Sequence, residues 1–375
     1  MHDEKKVEYL ELIYDLIFVY IIGRNNSLLH HTADGRIQPE MFVTYFVCTL
    51  AVIQIWNFSS YYINIYGKNG LQEHIFLFSN MFLLYFIAEG TQEHWEKYHT
   101  QYHIAWALIL VNVAVQYLIE FKNQEKRFRY KRNIFVLVAE ALLVLLTIPV
   151  YRYTGYELSF IPIVFGIIAA SISTKYSENI KVDFAHLSER AMLYVVFTFG
   201  EMVIAIAGYF KDNMSIEGLY FPLMAFLIVV GLFLSYGTFY DRIIDREQST
   251  NGLWYMFLHI FIIFGLNNIT TALEFMQNDK MELMSKMGFL IGSFLLYYIF
   301  LFMTRKFAKK SCRPPISFYL KMAGIGISFI ALMLIFRENM QINILISVIY
   351  VFAVYAIIYG IGRVNSKVKS KSEEN

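Results

Sequence analysis

The sequence predicts an all-α polytopic membrane protein of about twelve transmembrane helices, and three observations predict it. Hydrophobic residues make up 57% of the 375 and charged residues only 17%, whereas a soluble domain carries roughly a quarter charged residues. Runs free of Asp, Glu, Lys and Arg recur at the length of one bilayer crossing, about 20 residues. Basic residues also alternate between successive connections, dense in one and sparse in the next. A net charge of +2 excludes a nucleic-acid binder, and two cysteines supply no disulfide framework.

Taken in order, the first apolar segment is 9–29, which carries Glu11 and Asp15 near its start. These carboxylates, and the lack of a small-residue cleavage site, argue against a cleavable signal peptide. Charge-free runs follow at 41–67, 74–88 and 98–119, then an apolar segment at 133–151 interrupted by Glu140, then a clean run at 158–174. Segment 188–209 contains Glu189, Arg190 and Glu201. Clean runs at 218–240, 248–273, 287–304, 322–336 and 339–362 complete the twelve. Connections are short; the longest, Asn25 to Glu40, has room for an outer hairpin at most. The polar tail, 365–375, is expected to fray.

Charge fixes the expected orientation. With the N-terminus in the cytoplasm, 22 of the 32 Lys and Arg residues fall on the inner side. Only Arg24, Arg36, Lys97, Arg152, Lys211, Lys280, Lys286 and Arg337 fall outside. Such a split is the positive-inside rule, and it puts both termini in the cytoplasm of a multi-pass cell-membrane protein. The basic, aromatic-interleaved stretch Lys122 to Arg132 reads as a topology anchor on anionic lipid, not as an RNA patch.

The chain also reads as duplicated, with one six-helix half over 1–175 and a second over 176–364. A shift of 178 residues places Glu11 on Glu189 and Tyr62 on Tyr240. Six spans per half makes the halves parallel repeats about an axis along the membrane normal.

Several motifs resemble the bacterial low temperature requirement A family. They are Leu10-Glu11-Leu12-Ile13-Tyr14-Asp15-Leu16-Ile17-Phe18-Val19 at the opening, and Trp56 through Tyr62 with Asn64 in the second helix. The others are Glu189-Arg190, Leu193 and Gly200-Glu201 in the centre, and Phe239-Tyr240-Asp241-Arg242 at the end of the eighth segment. The sequence departs from the family pattern after Asn64, where Ile65, Tyr66 and Gly67 replace Asn-Arg-aromatic-Asp. It departs again at Tyr255 to His259, which lacks the usual Tyr-x-His-x-Pro. The resemblance implies a polytopic membrane protein linked by name to growth in the cold, and brings no biochemical activity with it.

Charges inside a bilayer cost about 2.5–3.5 kcal/mol each on insertion scales, so those retained need a partner or a polar cavity. Glu11 and Asp15, four apart, share a helix face. Glu201, about 18 Å deeper than Glu189 at 1.5 Å per residue, and Glu140 are expected near mid-membrane. Gly200, Ala205 and Gly208 beside Glu201 suggest close helix packing there.

The functional expectation is a proton-coupled secondary transporter of a small solute, rocking two halves around a central site that contains Glu140 and Glu201. Glu11, Asp15, Glu189 and Arg190 then serve as coupling groups, with Arg190 pairing Glu11 or Glu189. Tyr62, Asn64, Tyr240, Asp241 and Arg242 are candidate inner-gate residues, against an interfacial aromatic belt as the plainer reading. The alternative function is a non-transporting membrane protein acting on lipid or a partner complex. No phosphate-binding loop, G-x-S-x-G, H-E-x-x-H or C-x-x-C occurs, so no enzyme activity and no cofactor are expected. His94, His99 and His103, with Glu93 and Glu96, read as a solvated outer loop rather than a metal site. His259 reads as a packing residue. The expected partners are the lipid bilayer and a small solute or proton, with no nucleic acid. Nothing in the residues identifies the solute or an oligomeric state.

Overall fold

A computed structural model describes residues 5–90, 95–123, 128–175, 182–208, 216–276 and 281–373. Among them are twelve α-helices: α1 (Tyr9–Asn25), α2 (Pro39–Tyr66), α3 (Leu71–Gly90), α4 (Trp95–Asn123), α5 (Phe128–Thr154), α6 (Phe160–Lys175), α7 (Phe184–Ala207), α8 (Ile216–Thr238), α9 (Leu253–Met276), α10 (Leu283–Met303), α11 (Ile316–Ile335) and α12 (Met340–Glu373). Each coincides with one predicted apolar segment. Ten are long and apolar enough to cross a membrane. The remaining two are shorter: α1 has 17 residues and α6 has 16, lengths of about 25 Å against a hydrocarbon core of about 30 Å. Helices dominate because backbone polar groups in lipid must be satisfied within the segment.

The link between α1 and α2 holds a short helical turn, Asn26–His30, and a minimal hairpin of β1 (Thr32–Ala33) and β2 (Arg36–Ile37). Asp34-Gly35 closes it as a two-residue turn, the hairpin the link length allowed.

The chain forms two compact units. The first comprises Met1–Ala33, Ile37–Tyr194 and Ser249–Ile260. In it α1 packs on α2 and α3, α4 lies against α2, α3 and α5, and α6 against α2 and α5. Its outer face is apolar: Phe78, Phe82 and Tyr85 of α3 are exposed. For a chain of this composition that is a surface for hydrocarbon, not water.

The second unit comprises Asp34–Arg36, Val195–Gln248 and Phe261–Asn375. There α8 and α11 pack along α12. Its core is aromatic: Phe329 stacks on Tyr350 at 4.1 Å, with Phe294 and Tyr298 set edge-on around Tyr350. Helix α8 ends in a π-helical turn, Phe239–Ile243. The chain beyond it pairs with the segment after α10, through a bridge between Ile244 and Ala308.

Candidate functional site

Three polar constellations lie inside the first unit. The first centres on Arg190, fully buried on α7, which reaches both acidic groups of α1. One guanidinium nitrogen pairs with Asp15 Oδ1, Nε reaches Asp15 Oδ2 at 3.4 Å, and Nη1 lies 3.2 Å from Glu11 Oε2. Glu11 and Asp15 are one helical turn apart on the same face, so a single forked cation spans both. Trp56 of α2 donates its indole N–H to Asp15 Oδ1 at 2.7 Å and stands beside the guanidinium. Asp183 caps α7: its carboxylate accepts the His186 N–H at 3.0 Å. The Asn64 amide clamps that cap, donating to the Asp183 carbonyl at 2.8 Å and accepting its N–H at 3.1 Å. Its second amide proton goes to His186 Nδ1 at 3.0 Å. That assigns the remaining ring proton of His186 to Nε2, which faces Glu11 Oε2 at 3.4 Å. Lys5 closes the edge by donating to the carbonyls of Ile63 and Gly67 at the end of α2. Burial, opposed by Glu11 and Glu73, holds the Lys5 ammonium below its ordinary value.

The network selects between alternatives the sequence left open. Arg190 pairs with Glu11 and Asp15, while Glu189, its sequence neighbour, is half-buried and outside the cluster. Asn64, in the last turn of α2, is buried and joins that helix to the start of α7. Neither His186 nor Asp183 was singled out in the sequence. A search for ionised side chains passes over a neutral histidine, although the spacings Asp183, His186, Arg190 do mark one helix face.

The second constellation surrounds Glu140 of α5. Its side chain is wholly buried, and neither carboxyl oxygen has a hydrogen-bond partner among the described residues. It lies against Gly166 of α6, as does the Gln54 amide of α2. A Cβ at Gly166 would collide with both groups, so only glycine leaves room for them. Gln54 spends its amide N–H on the Ile163 carbonyl at 3.0 Å, leaving Oε1 unpaired. Asn57 Oδ1, one turn further along α2, is unpaired as well. Gln54, Asn57 and Gly166 line a cavity of about 110 Å³, together with Tyr61, Asn133 and Asn251. Water-sized occupants need about 10–15 Å³ each on this measure, so several waters or a small solute fit. Buried acceptors left unpaired are uncommon. Two of them, Gln54 Oε1 and Asn57 Oδ1, belong to residues that line this hollow, and Glu140 lies against Gly166 of its wall.

The third constellation joins His99 and His103 of α4 to Glu157, in the link between α5 and α6. Both histidines are buried inside the helix, which corrects their reading as a solvated loop. The apolar body of α4 begins at Trp95, one turn earlier than the charge-free run suggested, and takes them inside. His94 and Glu93 lie outside the described residues. Gly155, at φ +72° and donating to the Tyr151 carbonyl at 2.8 Å, ends α5 in a left-handed turn. The turn swings Glu157 back over α4, where Trp95 donates to its Oε2 at 3.2 Å and the Ser159 N–H to its Oε1 at 3.0 Å. Burial alone raises the Glu157 carboxyl. The His99 contact, the Ser159 N–H and the neighbouring His103 outweigh it and bring it down to about 2.

The remaining candidates stand apart from these groups. Glu201 belongs to the second unit, is half-buried, and has the Glu274 carboxylate within electrostatic range. The small residues beside it do not form a tight packing seam: Gly200 is exposed, with nothing within 4 Å of its missing Cβ. Tyr62 is buried against Tyr66 and Tyr117 at 5.7 and 5.0 Å. Tyr240 is buried in the π-helical turn, under the Arg246 guanidinium. Asp241 and Arg242 are exposed, and Arg242 lies over the Tyr359 ring at 4.8 Å. His259 donates its Nδ1–H to the Tyr255 carbonyl of its own helix at 2.8 Å, as a satisfied packing residue does.

A family model described as "Bacterial low temperature requirement A protein (LtrA)" matches residues 6–358. No curated protein and no solved structure matches the chain.

Proposed function

The chain belongs to the bacterial low temperature requirement A family, and from that premise we propose that it is a proton-coupled secondary transporter of a small polar solute. The observation that carries the reading is the contrast between two sets of buried polar groups. Around Arg190 each buried carboxylate stands at ion-pair distance from the guanidinium, which makes that cluster a clamp. Around Gly166 and the cavity it helps line, no cation faces the acceptors among the described residues, and both oxygens of Glu140, Oε1 of Gln54 and Oδ1 of Asn57 have no hydrogen-bond partner. Removing a carboxylate from water costs several kcal/mol unless a cation or hydrogen-bond donor compensates. Glu140 is therefore the proton-exchanging group, and the amide oxygens beside it suit a solute that brings hydrogen-bond donors. Glu140 stands nine residues into a 24-residue span, about 13 Å from its end at 1.5 Å per residue. At that depth a long side chain does not reach interfacial water. Glu201 is the second protonatable candidate.

In this reading the protein sits in the cytoplasmic membrane with both termini inside, its two six-helix stretches are parallel repeats, and it catalyses no covalent chemistry. The test is flux in proteoliposomes across a panel of small metabolites and ions, with and without a pH gradient. A gradient-driven flux that Glu140→Gln removes supports the reading. No gradient-dependent flux from any member of the panel leaves a protein that acts on lipid or on a partner complex instead.

A further inference from the structure

We propose that His99, His103 and Glu157 form a binding site for a divalent transition-metal ion of the zinc class, clamping α4 to the α5–α6 link. The proposal is independent of the transport reading and concerns a different part of the first unit. One ligand atom from each residue lies within 4.8 Å of the other two. Tetrahedral zinc with bonds of 2.0–2.2 Å sets its ligands about 3.3 Å apart, and His99 Nε2 already stands 3.3 Å from Glu157 Oε2. His103 needs only a side-chain adjustment to close the triangle. The two histidines are four residues apart on one helix, the spacing that puts both rings on one face, where their centroids lie 4.0 Å apart. Two imidazoles and a carboxylate are a donor set that zinc takes readily.

Two further observations point to a ligand rather than to a packed polar cluster. His99 is 1% exposed, yet neither ring nitrogen makes a hydrogen bond among the described residues. Its approach to Glu157 has the distance but not the alignment of one, as suits two groups sharing a cation. His103, in contrast, has its tautomer fixed. Its Nδ1–H donates to the His99 carbonyl at 2.7 Å, which leaves the Nε2 lone pair facing inward. A metal-bound histidine is commonly oriented in this way, its second nitrogen donating to a backbone carbonyl. The Ser159 hydroxyl holds that lone pair at 2.5 Å, in the place a metal takes when it binds. The surroundings exclude water: the Tyr151 ring stacks on His99 at 4.0 Å and Trp95 stands edge-on at 5.4 Å. The Trp95 indole N–H also steadies the carboxylate, an outer-sphere contact of the kind that orients metal ligands.

The experiment uses the full chain in detergent, purified without a polyhistidine tag and stripped with a chelator, then titrated with Co²⁺ while visible absorption is recorded. The expected result is one equivalent of Co²⁺ with the intense visible bands of a four-coordinate site, displaced by one equivalent of Zn²⁺. His103→Ala and Glu157→Gln are expected to weaken Co²⁺ binding at least about tenfold, and Ser159→Ala to retain it. Glu157→Gln is nearly isosteric, so it decides the matter if His103→Ala does not yield a monodisperse protein. Absence of saturable visible bands in the unsubstituted chain overturns the proposal. So does Co²⁺ binding that Glu157→Gln leaves unchanged.

Discussion

In the first unit Arg190 meets Glu11, Asp15 and Trp56 in a closed polar cluster, whereas in the second Tyr350 meets Phe329, Phe294 and Tyr298 in a wall of rings. Of the charged residues buried among those described, Glu11, Asp15, Glu120, Glu140 and Arg190 belong to the first unit and Lys286 alone to the second. The second unit keeps its other cations at the margins and uses their flat faces. Arg242, Arg246 and Arg305 each lie over a tyrosine ring, where they stay hydrated on one side. Burying a charge demands a complete partner set, and losing one partner leaves the rest uncompensated. Burying a ring demands only matching shape. The two units should therefore fail in different ways when a partner is removed.

The largest effect is expected at Arg190. Arg190→Met strands Glu11 and Asp15 in a dry interior, and about 3–5 kcal/mol of stability should be lost, read as a fall in thermal unfolding temperature in detergent. Neutralising the acids as well, with Glu11→Gln and Asp15→Asn, should recover a large part of that loss. If the triple variant is no better than Arg190→Met, the cluster is not the closed unit described. In the second unit the comparable truncation, Tyr350→Ala, opens a hole among three rings and should cost about 3 kcal/mol. Tyr350→Phe, which keeps the shape, should be close to silent. That tolerance of an isostere is what the charged cluster lacks.

Gly166→Ala comes next, because its Cβ would enter the space of the Glu140 carboxyl and the Gln54 amide. Overpacking of this kind costs about 1–3 kcal/mol, and any solute binding at the cavity should fall with it. Tyr297→Phe removes one hydrogen bond, from the phenol to the Leu232 carbonyl at 3.1 Å, worth about 1 kcal/mol. The smallest effect is expected from Arg36 and Glu282, which are exposed and 2.6 Å apart. The Arg36 hydrogen bond, with its charge, holds the Glu282 carboxyl below the ordinary carboxylate range. The pairing is thus present above the unfolded-state value and lost as pH falls through the lowered one. Because water screens both partners, Glu282→Gln should leave the unfolding temperature unchanged at neutral pH.

Helix positions were legible because an apolar run of bilayer length has few alternatives in an unbroken chain. So was the link at Asn25 to Glu40, where the chain length left room for a hairpin and little else. Glu11, Asp15, Arg190 and Glu140 stood out through the cost of placing a charge in lipid. Their grouping did not, because hydropathy says how deep a residue lies and not which neighbour it faces. That gap left Glu11 and Glu189 as alternative partners for Arg190, and it gave no sign that Asn64 holds Asp183. His186 and Glu157 escaped notice, and His99 and His103 were placed in a solvated loop, for a related reason. A neutral imidazole costs little to bury, and Glu157 returns to α4 only because Gly155 reverses the chain. The Phe239-Tyr240 pair matches Tyr61-Tyr62 in sequence, yet the first lies in a π-helical turn and the second in regular helix. Residue type does not report that difference in backbone.

The most direct measurement of the central claim is solute-driven proton uptake by proteoliposomes holding the unsubstituted chain, Glu140→Gln or Glu201→Gln. The account predicts that at least one solute of the panel drives uptake in the unsubstituted chain. It also predicts that Glu140→Gln, folded and inserted to the same level, loses that uptake. Equal uptake by the unsubstituted chain and Glu140→Gln would contradict it, as would the absence of any solute-driven uptake.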